Sequence, residues 1–299
     1  MVTRTVEVRV SGRAEHHVLD VVRPLGFTRA DVRDWFAAGD VWVERDRRRR
    51  RVDKGTGLVP GDRLGWRQPP AIVPAEPDAP LIVAYASRDW IVVDKPAAQP
   101  CAPRRAGDRG TVVNALVARY PELEHVGYGA REPGLIHRLD NGTSGLLWVA
   151  RSSEAFERAR AALTSGAVDK RYLLLVASSS LPEDAGRIEA PVRTEGPKVV
   201  VAADGRPATT TFRVLRRGAR FALVEAVASP AVRHQVRVHL ASRGAPLLGD
   251  QRYGGSSWGQ AGHALHAWRI RWAEAGLDVV SDSVGWPNVD DLARDDDGA

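Results

Sequence analysis

The sequence predicts an α+β protein: a larger part built on a mixed, largely antiparallel sheet, preceded by a small α/β module. Three observations carry this. Strand-like and helix-like segments do not alternate strictly, which argues against a doubly wound parallel sheet. Five of the 13 residues from Gln68 to Pro80 are proline, the mark of an extended, semi-rigid linker. The chain has 299 residues, 43% hydrophobic and 27% charged, enough for two ordinary domains and too apolar for wholesale disorder. The expected division is a module over 1–67, a linker over 68–80, a large domain over 81–288 and an acidic disordered tail over 289–299.

The elements follow in order. Val6–Val10 alternates as a strand does, and Ala14–Leu25 reads as a helix stopped near Pro24. Thr28, with Asp31 three places on, opens a second helix that ends at Gly39. Val41–Val43 is a short strand. Six of the seven residues Arg45–Arg51 are arginine, and Val59–Asp62 turns into a strand over Arg63–Arg67. Leu81–Val93 reads as strand, turn, strand, closed by Asp94-Lys95-Pro96. Gly110-Thr111 starts a helix with Val112, Val113, Leu116, Val117 and Tyr120 on one face.

Gly134–Leu139 and Gly145–Ala150 read as strands flanking a polar loop, and Ser152 or Ser153 caps a helix running to Gly166. Lys170–Ala177, Thr209–Val214 and Arg220–Ala228 are further strands. Ser229 and Pro230 open a helix that stops at Gly244. It carries a stripe of Val232, Val236 and Leu240, with Arg233 and Arg237 on another face.

Net charge is +6 and the pI is near 9.9. Only four of the 43 basic residues are lysines. Residues 1–67 hold 15 basic and 10 acidic groups, whereas 290–299 hold five Asp and one Arg. Basic folded parts with an acidic tail point to a polyanion partner, RNA first. The single cysteine, Cys101, excludes an intrachain disulfide and any cysteine-built metal cluster. The N-terminus lacks the apolar core of a secretory signal. No apolar run approaches the roughly 20 residues of a membrane span. The expectation is a cytoplasmic protein, and a monomer, since nothing in the sequence marks an oligomer.

In the first module, Thr28-Arg29 opening a helix, Gly39-x-Val41-x-Val43, and Gly61-Asp62 before the last strand are similar to the alpha-L RNA-binding motif. That motif is shared with small-subunit ribosomal protein four. The physics agrees, because guanidinium groups bind phosphate through paired hydrogen bonds and read no sequence. Arg29, Arg47, Arg48, Arg49, Arg50 and Arg51 are the candidate RNA contacts.

The most informative stretch is Gly134–Arg151, GLIHRLDNGTSGLLWVAR. Arg138 and Asp140 are two apart, so in extended backbone both point to one face. An arginine beside an aspartate favours the ionised carboxylate, and such an Asp can serve as base or nucleophile. On spacing alone, an Asp-Asn-Gly segment is more often a hairpin turn. The order of motifs tips the balance.

His137-Arg138-Leu139-Asp140-x-x-Thr143-Ser144-Gly145 resembles the active-site motif of the RluA-type pseudouridine synthases at every fixed position. Further matches fall in the family's order. They are Leu81–Pro96, Val168-x-Lys170-x-Tyr172, His234-Gln235-Val236-Arg237-x-His239, Gly249-Asp250 with Tyr253-Gly254, and Leu265-His266-Ala267. Together they span roughly residues 81–275.

The resemblance implies isomerisation of uridine to pseudouridine in RNA, with no metal and no cofactor. Asp140 would be the catalytic aspartate. Tyr172 would stack on the target base and assist proton removal at C5. Arg237 would hold Asp140 by a salt bridge, and Arg138 would hold the flipped-out conformation. His137 and Gln235 complete the candidate substrate-binding set. A flipped-out base needs an aromatic ring or a guanidinium in place of its lost stacking. Large-subunit rRNA is the first candidate substrate and tRNA the second. The family's usual glycine, basic residue and small polar residue before His-Gln are here Ala231, Val232 and Arg233, a departure that bears on RNA-backbone contacts more than on chemistry.

Three other readings compete. Asp140–Ser144 has the look of an aspartic-protease loop, but that chemistry needs a second carboxylate and no second copy exists. His263-x-x-His266 could supply two metal ligands, but no nearby Glu or Cys completes a set. A non-catalytic RNA-binding or ribosome-assembly protein on the same fold would have no need of the intact aspartate.

Overall fold

The computed structural model describes residues 1–69, 71–228, 231–282, 284 and 286. The expected acidic tail, and the expected helix cap at Ser229 with Pro230, lie outside them. The chain divides into two compact units: 1–79 with 102–133, and 80–101 with 134–299.

The first unit is built on a four-stranded sheet of order β1-β6-β3-β4, all pairs antiparallel. Its strands are β1 (Val2–Glu7), β3 (Val41–Arg45), β4 (Arg48–Arg51) and β6 (Arg63–Gln68). The small pair β2 (Gly12–Arg13) and β5 (Gly57–Leu58) lies beside it in sequence. Helix α1 (Ala14–Val22) passes into a tight turn of helix at Arg23–Leu25. Helix α2 (Arg29–Ala38) starts at a full capping box of Thr28 and Asp31 and stops at Gly39, φ 73°. Val18, Val22, Val32, Trp35, Leu64 and Trp66 form the core, with Phe27 edge-on to Trp35 at 5.2 Å.

The arginine run forms a hairpin. Asp46 and Arg47 have φ of 52° and 61°, which turn β3 into β4, and Arg48–Arg51 form an edge strand exposed throughout.

Residues 102–133, expected in the large domain, belong to this first unit. They carry helix α3 (Val112–Arg119), capped by Thr111. The reason is a set of buried polar ties. Asp31 accepts from the backbone N of Ala106 and from Arg131. Asn114 donates to the carbonyl of Pro74 at 2.7 Å, and Gly107 N donates to Ile72 O at 3.0 Å. The proline-rich stretch is therefore pinned along 106–114 rather than spanning open space, and Ile72 packs on the core.

The second unit holds a nine-stranded sheet among the described residues, of order β11-β14-β15-β10-β16-β9-β8-β7 with β17 also on β16. Its strands are β7 (Ile82–Ala86), β8 (Trp90–Lys95), β9 (Ser144–Ala150), β10 (Asp169–Ala177), β11 (Ala185–Glu189), β14 (Thr209–Arg217), β15 (Phe221–Val227), β16 (Leu265–Trp272) and β17 (Leu277–Val280). A separate hairpin joins β12 (Val192–Glu195) and β13 (Lys198–Val201). All the ladders are antiparallel except β16 with β9. The mixed, largely antiparallel α+β expectation holds.

The centre of the sheet is apolar on both faces. Trp90–Val93 and Gly145–Ala150 are buried, and Trp90, Trp148 and Trp272 pack with ring centres 5.1–5.8 Å apart. Helix α4 (Ser153–Ser165) is capped by Ser152, buries Ala155, Phe156, Ala159 and Ala162, and stops at Gly166.

Two expectations fail locally. Gly134–Leu139 is not a strand. It makes one bridge, Leu135 to Val149, and the pairing goes no further, because Trp148 N donates to the His137 ring and Leu139 N to Cys101 Sγ. The helix expected from Ser229 begins only at Gln235. Helix α5 is Gln235–Ser242, preceded by His234 in the left-handed region at φ 55°. The backbone N of Val232, which in a helix starting there would need a side-chain cap, is taken by the Gln235 side chain from within α5. Arg233 thus stands outside the helix and shares no face with Arg237.

Candidate active site

Sheet register assembles the site. On β16, Ala267 pairs with Tyr172 of β10 on one side and with Gly145 of β9 on the other. The next pair along is His266 with Ser144. Paired residues share a face, so the loop entering β9 and the tyrosine of β10 are brought together across one small residue. The approach is close. Gly145 has φ 104°, and a β-carbon there would lie 2.3 Å from the carbonyl oxygen of Ala267. Only glycine meets both demands.

Two buried histidines tie the loop down. Thr143 Oγ1 lies 2.8 Å from His263 Nε2, and Ser144 Oγ lies 2.8 Å from His266 Nδ1. His266 Nε2 continues to Ser281 Oγ at 2.9 Å, which donates to Asp94. Burial lowers both imidazoles to a pKa of about 4, so both are neutral at pH 7. The two histidines that could have formed a metal pair are thus loop anchors, each committed to a hydroxyl. From the other side, Lys95 Nζ donates to the carbonyls of Pro96, Gln99 and Asn141 at 2.8, 2.9 and 3.3 Å. Burial pushes its pKa down to about 8, still protonated at neutral pH, when three N–H groups meet three carbonyls. Cys101 Sγ donates to Leu139 O at 3.3 Å and accepts from Leu139 N at 3.4 Å.

Asp140 stands within this frame with its side chain 24% exposed. Arg237 NH1 donates to Asp140 Oδ2 at 2.6 Å. The rest of the same guanidinium is held by Asp250, Nε to Oδ2 and NH2 to Oδ1, both 2.7 Å. Arg237 and Asp250 are buried, at 6% and 1% exposure. One arginine is shared by two carboxylates, one sealed and one open. The sealed fork orients the guanidinium, and a charge-assisted bond then fixes Asp140.

Tyr172 is buried. Burial first, and the charge of Asp140 second, raise its pKa, so the phenol stays protonated. Arg138 is exposed. His137 Nε2 accepts from Trp148 N at 3.2 Å, a tie between loop and sheet. Its pKa falls to about 3, burial being the main cause. Gln235 is 2% exposed, and both ends of its amide are used internally: Oε1 accepts from Val232 N, and Nε2 donates to Thr209 O and Thr210 Oγ1.

In the first unit, Arg48–Arg51 share one exposed strand, and Arg49 stacks on Trp42 with its guanidinium 3.5 Å from the ring centre. Arg47 occupies the turn of the same hairpin. Arg29 is exposed, but its fork is engaged by Glu15 at 2.7 and 3.2 Å.

Sequence reasoning brings Asp140, Tyr172 and Arg237 together, gives no role to Asp250, His234, Tyr253, Lys95 or Cys101 in the site, and weighs the two loop histidines only as a metal pair. Asp250 and Tyr253 sit inside a quoted motif. No periodicity links position 250 to 237, so the pairing is invisible before folding. Among the described residues, no group of three or more His, Cys, Asp or Glu could hold a metal ion. No helix among them is long and apolar enough to cross a membrane.

The mixed sheet thus brings an arginine-held aspartate and a buried tyrosine to one end of the paired strands β10, β16 and β9. Residues 89–242 match the RNA pseudouridylate synthase family. The chain is 34% identical over 248 residues to an uncharacterized RNA pseudouridine synthase of Bacillus subtilis, YlyB, covering 81% of this chain and 80% of the relative. It is 32% identical over 234 residues to ribosomal large subunit pseudouridine synthase D of Xanthomonas campestris, covering 77% and 68%. The fold is similar to that of human RNA pseudouridylate synthase domain containing 1, with TM-score 0.57 and 24% identity over 75% of this chain and 90% of that one. The chain belongs to the RNA pseudouridylate synthase family and is an isomerase acting on RNA.

Proposed function

We propose that the protein isomerises uridines of large-subunit ribosomal RNA, with Asp140 as the catalytic aspartate. The observation that carries the assignment is the shared guanidinium: Arg237, locked by buried Asp250, fixes an Asp140 that remains open to a substrate. The rRNA target is supported by relatives in Xanthomonas campestris and Nitrosomonas europaea named ribosomal large subunit pseudouridine synthase D, the latter 36% identical over 64% of this chain.

The residues then divide the work. Uridine leaves its stack, and the Tyr172 ring and the exposed Arg138 guanidinium take the place of its neighbours. Asp140 acts at the ribose-to-N1 bond. The uracil turns and rejoins through C5, the proton on C5 departs and N1 gains one, so the composition is unchanged. Tyr172 starts as a neutral phenol, so its part in removing the C5 proton requires it to pass its own proton on. His137 and Gln235 act as positioning residues through the ties they make. The arginine hairpin Arg47–Arg51 holds RNA backbone without reading sequence, and Arg29 contributes less because Glu15 occupies its fork. The domain assignment of this reading is an RNA-holding N-terminal module and a catalytic domain carrying the sheet.

The test is a map of pseudouridines in total RNA from cells with and without the gene, by carbodiimide labelling and primer extension. Loss of sites in large-subunit rRNA, restored by wild type and not by Asp140→Asn, is the expected result. Loss confined to tRNA would give the enzyme a different substrate. No lost site, with RNA binding intact, would favour the non-catalytic assembly reading.

A further inference from the structure

The two oxygens of Asp140 keep different company. Oδ2 is bonded to Arg237, whereas Oδ1 faces His234 Nε2 at 3.6 Å. His234 is one of four described non-glycine residues with positive φ, at 55°, a backbone region that such residues occupy rarely and that concentrates at functional sites. Its side chain is only 5% exposed.

The other ring nitrogen, Nδ1, lies 2.8 Å from the hydroxyl of Tyr253. That hydroxyl oxygen already accepts the backbone N–H of Val199 at 3.0 Å. The phenol's own proton needs an acceptor and Nδ1 lies within its reach, which pairs the phenol as donor with Nδ1 as acceptor. Burial lowers the pKa of His234 more than the charge of Asp140 raises it, so the ring is neutral at pH 7. A neutral imidazole accepting at Nδ1 carries its proton on Nε2, the atom turned towards Asp140.

The Val199 amide is held in place by its surroundings. Val199 is buried in a cluster with Val192 and Val238, against which Val232 and Tyr253 pack. The hairpin turn beside it is gripped by two arginines: Arg233 and Arg252 both donate to the carbonyl of Pro197. Arg233 is one of the three residues, with Ala231 and Val232, at which the sequence departs from the family pattern, and this grip gives it an internal task.

We propose that His234 is a positioning residue for Asp140, locked by Tyr253 as the Nε2–H tautomer so that a neutral N–H faces Oδ1. The arrangement makes the two carboxylate oxygens inequivalent. Arg237 anchors one by charge, while His234 presents a neutral N–H to the other without adding a second cation. Oδ1, 3.6 Å from the imidazole against 2.6 Å for Oδ2 from Arg237, is therefore the less tightly held oxygen and the one able to turn to the ribose. The proposal rests on the reading of Asp140 as the catalytic residue.

The test uses the full-length protein labelled with 15N-histidine. Two-bond 1H–15N spectra at pH 7.5 report each imidazole's tautomer, and His234→Gln identifies the signal. The expected wild-type pattern is Nε2–H. Tyr253→Phe, which keeps the ring 5.1 Å from the Arg237 guanidinium, mixes in the Nδ1–H form. With a transcript of large-subunit rRNA as probe, Tyr253→Phe lowers kcat about tenfold and leaves KM unchanged. An Nδ1–H or protonated His234 in wild type overturns the proposal, as does wild-type kcat in Tyr253→Phe. The spectrum is read in the free protein, so it decides the matter even for an RNA that is not turned over. Turnover surviving in Asp140→Asn would instead overturn the reading of the site.

Discussion

The two units use arginine in opposite ways. On β4 of the first unit, four consecutive arginines are exposed on an edge strand, one of them stacked on Trp42. At the centre of the second, Arg237 is 6% exposed and its guanidinium bonds run to two carboxylates. Exposed arginines are screened and individually dispensable, and their value lies in number. A buried arginine cannot lose a partner without leaving an uncompensated charge. The difference teaches where tolerance to substitution lies: the hairpin can exchange residues, whereas the shared guanidinium cannot.

The strongest attempt to break that contrast is Asp250→Ala. It strands Arg237 with one partner in a buried setting and is expected to cost about 3–5 kcal/mol of folding stability. Urea unfolding measures it, and a cost below about 1 kcal/mol would mean that solvent reaches the fork. Next comes acid. His263 and His266 are held neutral to about pH 4 in the folded protein, against 6.5 for an ordinary imidazole. The unfolded chain binds protons first, so stability is full above about pH 6.5 and falls as pH drops towards 4. The loss is of order 3 kcal/mol per imidazole. Unfolding midpoints that stay flat across that window would show the loop histidines to be solvated.

A smaller effect sharpens the contrast within the first unit. Thr28→Ala removes the cap of α2 and is expected to cost about 1 kcal/mol, read as a shift in the urea midpoint. The smallest effect on the fold belongs to the hairpin. Arg48, Arg49, Arg50 and Arg51, each changed to Gln, are expected to leave stability within about 0.5 kcal/mol per site. RNA affinity falls, and its dependence on log salt flattens by about 0.7–0.9 for each phosphate the variant no longer neutralises. Affinity equal to wild type at low salt would remove the hairpin from the RNA interface.

Much of this architecture is legible before folding. The caps at Thr28, Ser152 and Gly166 are local chemistry, and each helix starts or ends where those residues say. The chemical loop is legible through its ordered motif. What stays hidden depends on long-range register. Tyr172 meets the Asp140 loop because Ala267 pairs with both β10 and β9, a fact about residues separated by about a hundred positions. Helix α5 starts later than its sequence suggests because Ser-Pro is a sound local signal, while the left-handed turn at His234 answers to Tyr253 and Asp140. The proline-rich stretch looks like a free linker by composition, which says nothing of Asn114 and Gly107 waiting to hold it.

Strand β4 has a consequence beyond RNA. An open sheet edge is a template on which a second copy can add a strand, the first step of edge-to-edge aggregation. Here such an approach would set two rows of four guanidinium groups against each other. The charges proposed to hold RNA would thus also oppose pairing between copies at this edge. That protection weakens as salt shortens the reach of the repulsion, so the free protein is best stored at low salt, the condition under which it also grips RNA hardest.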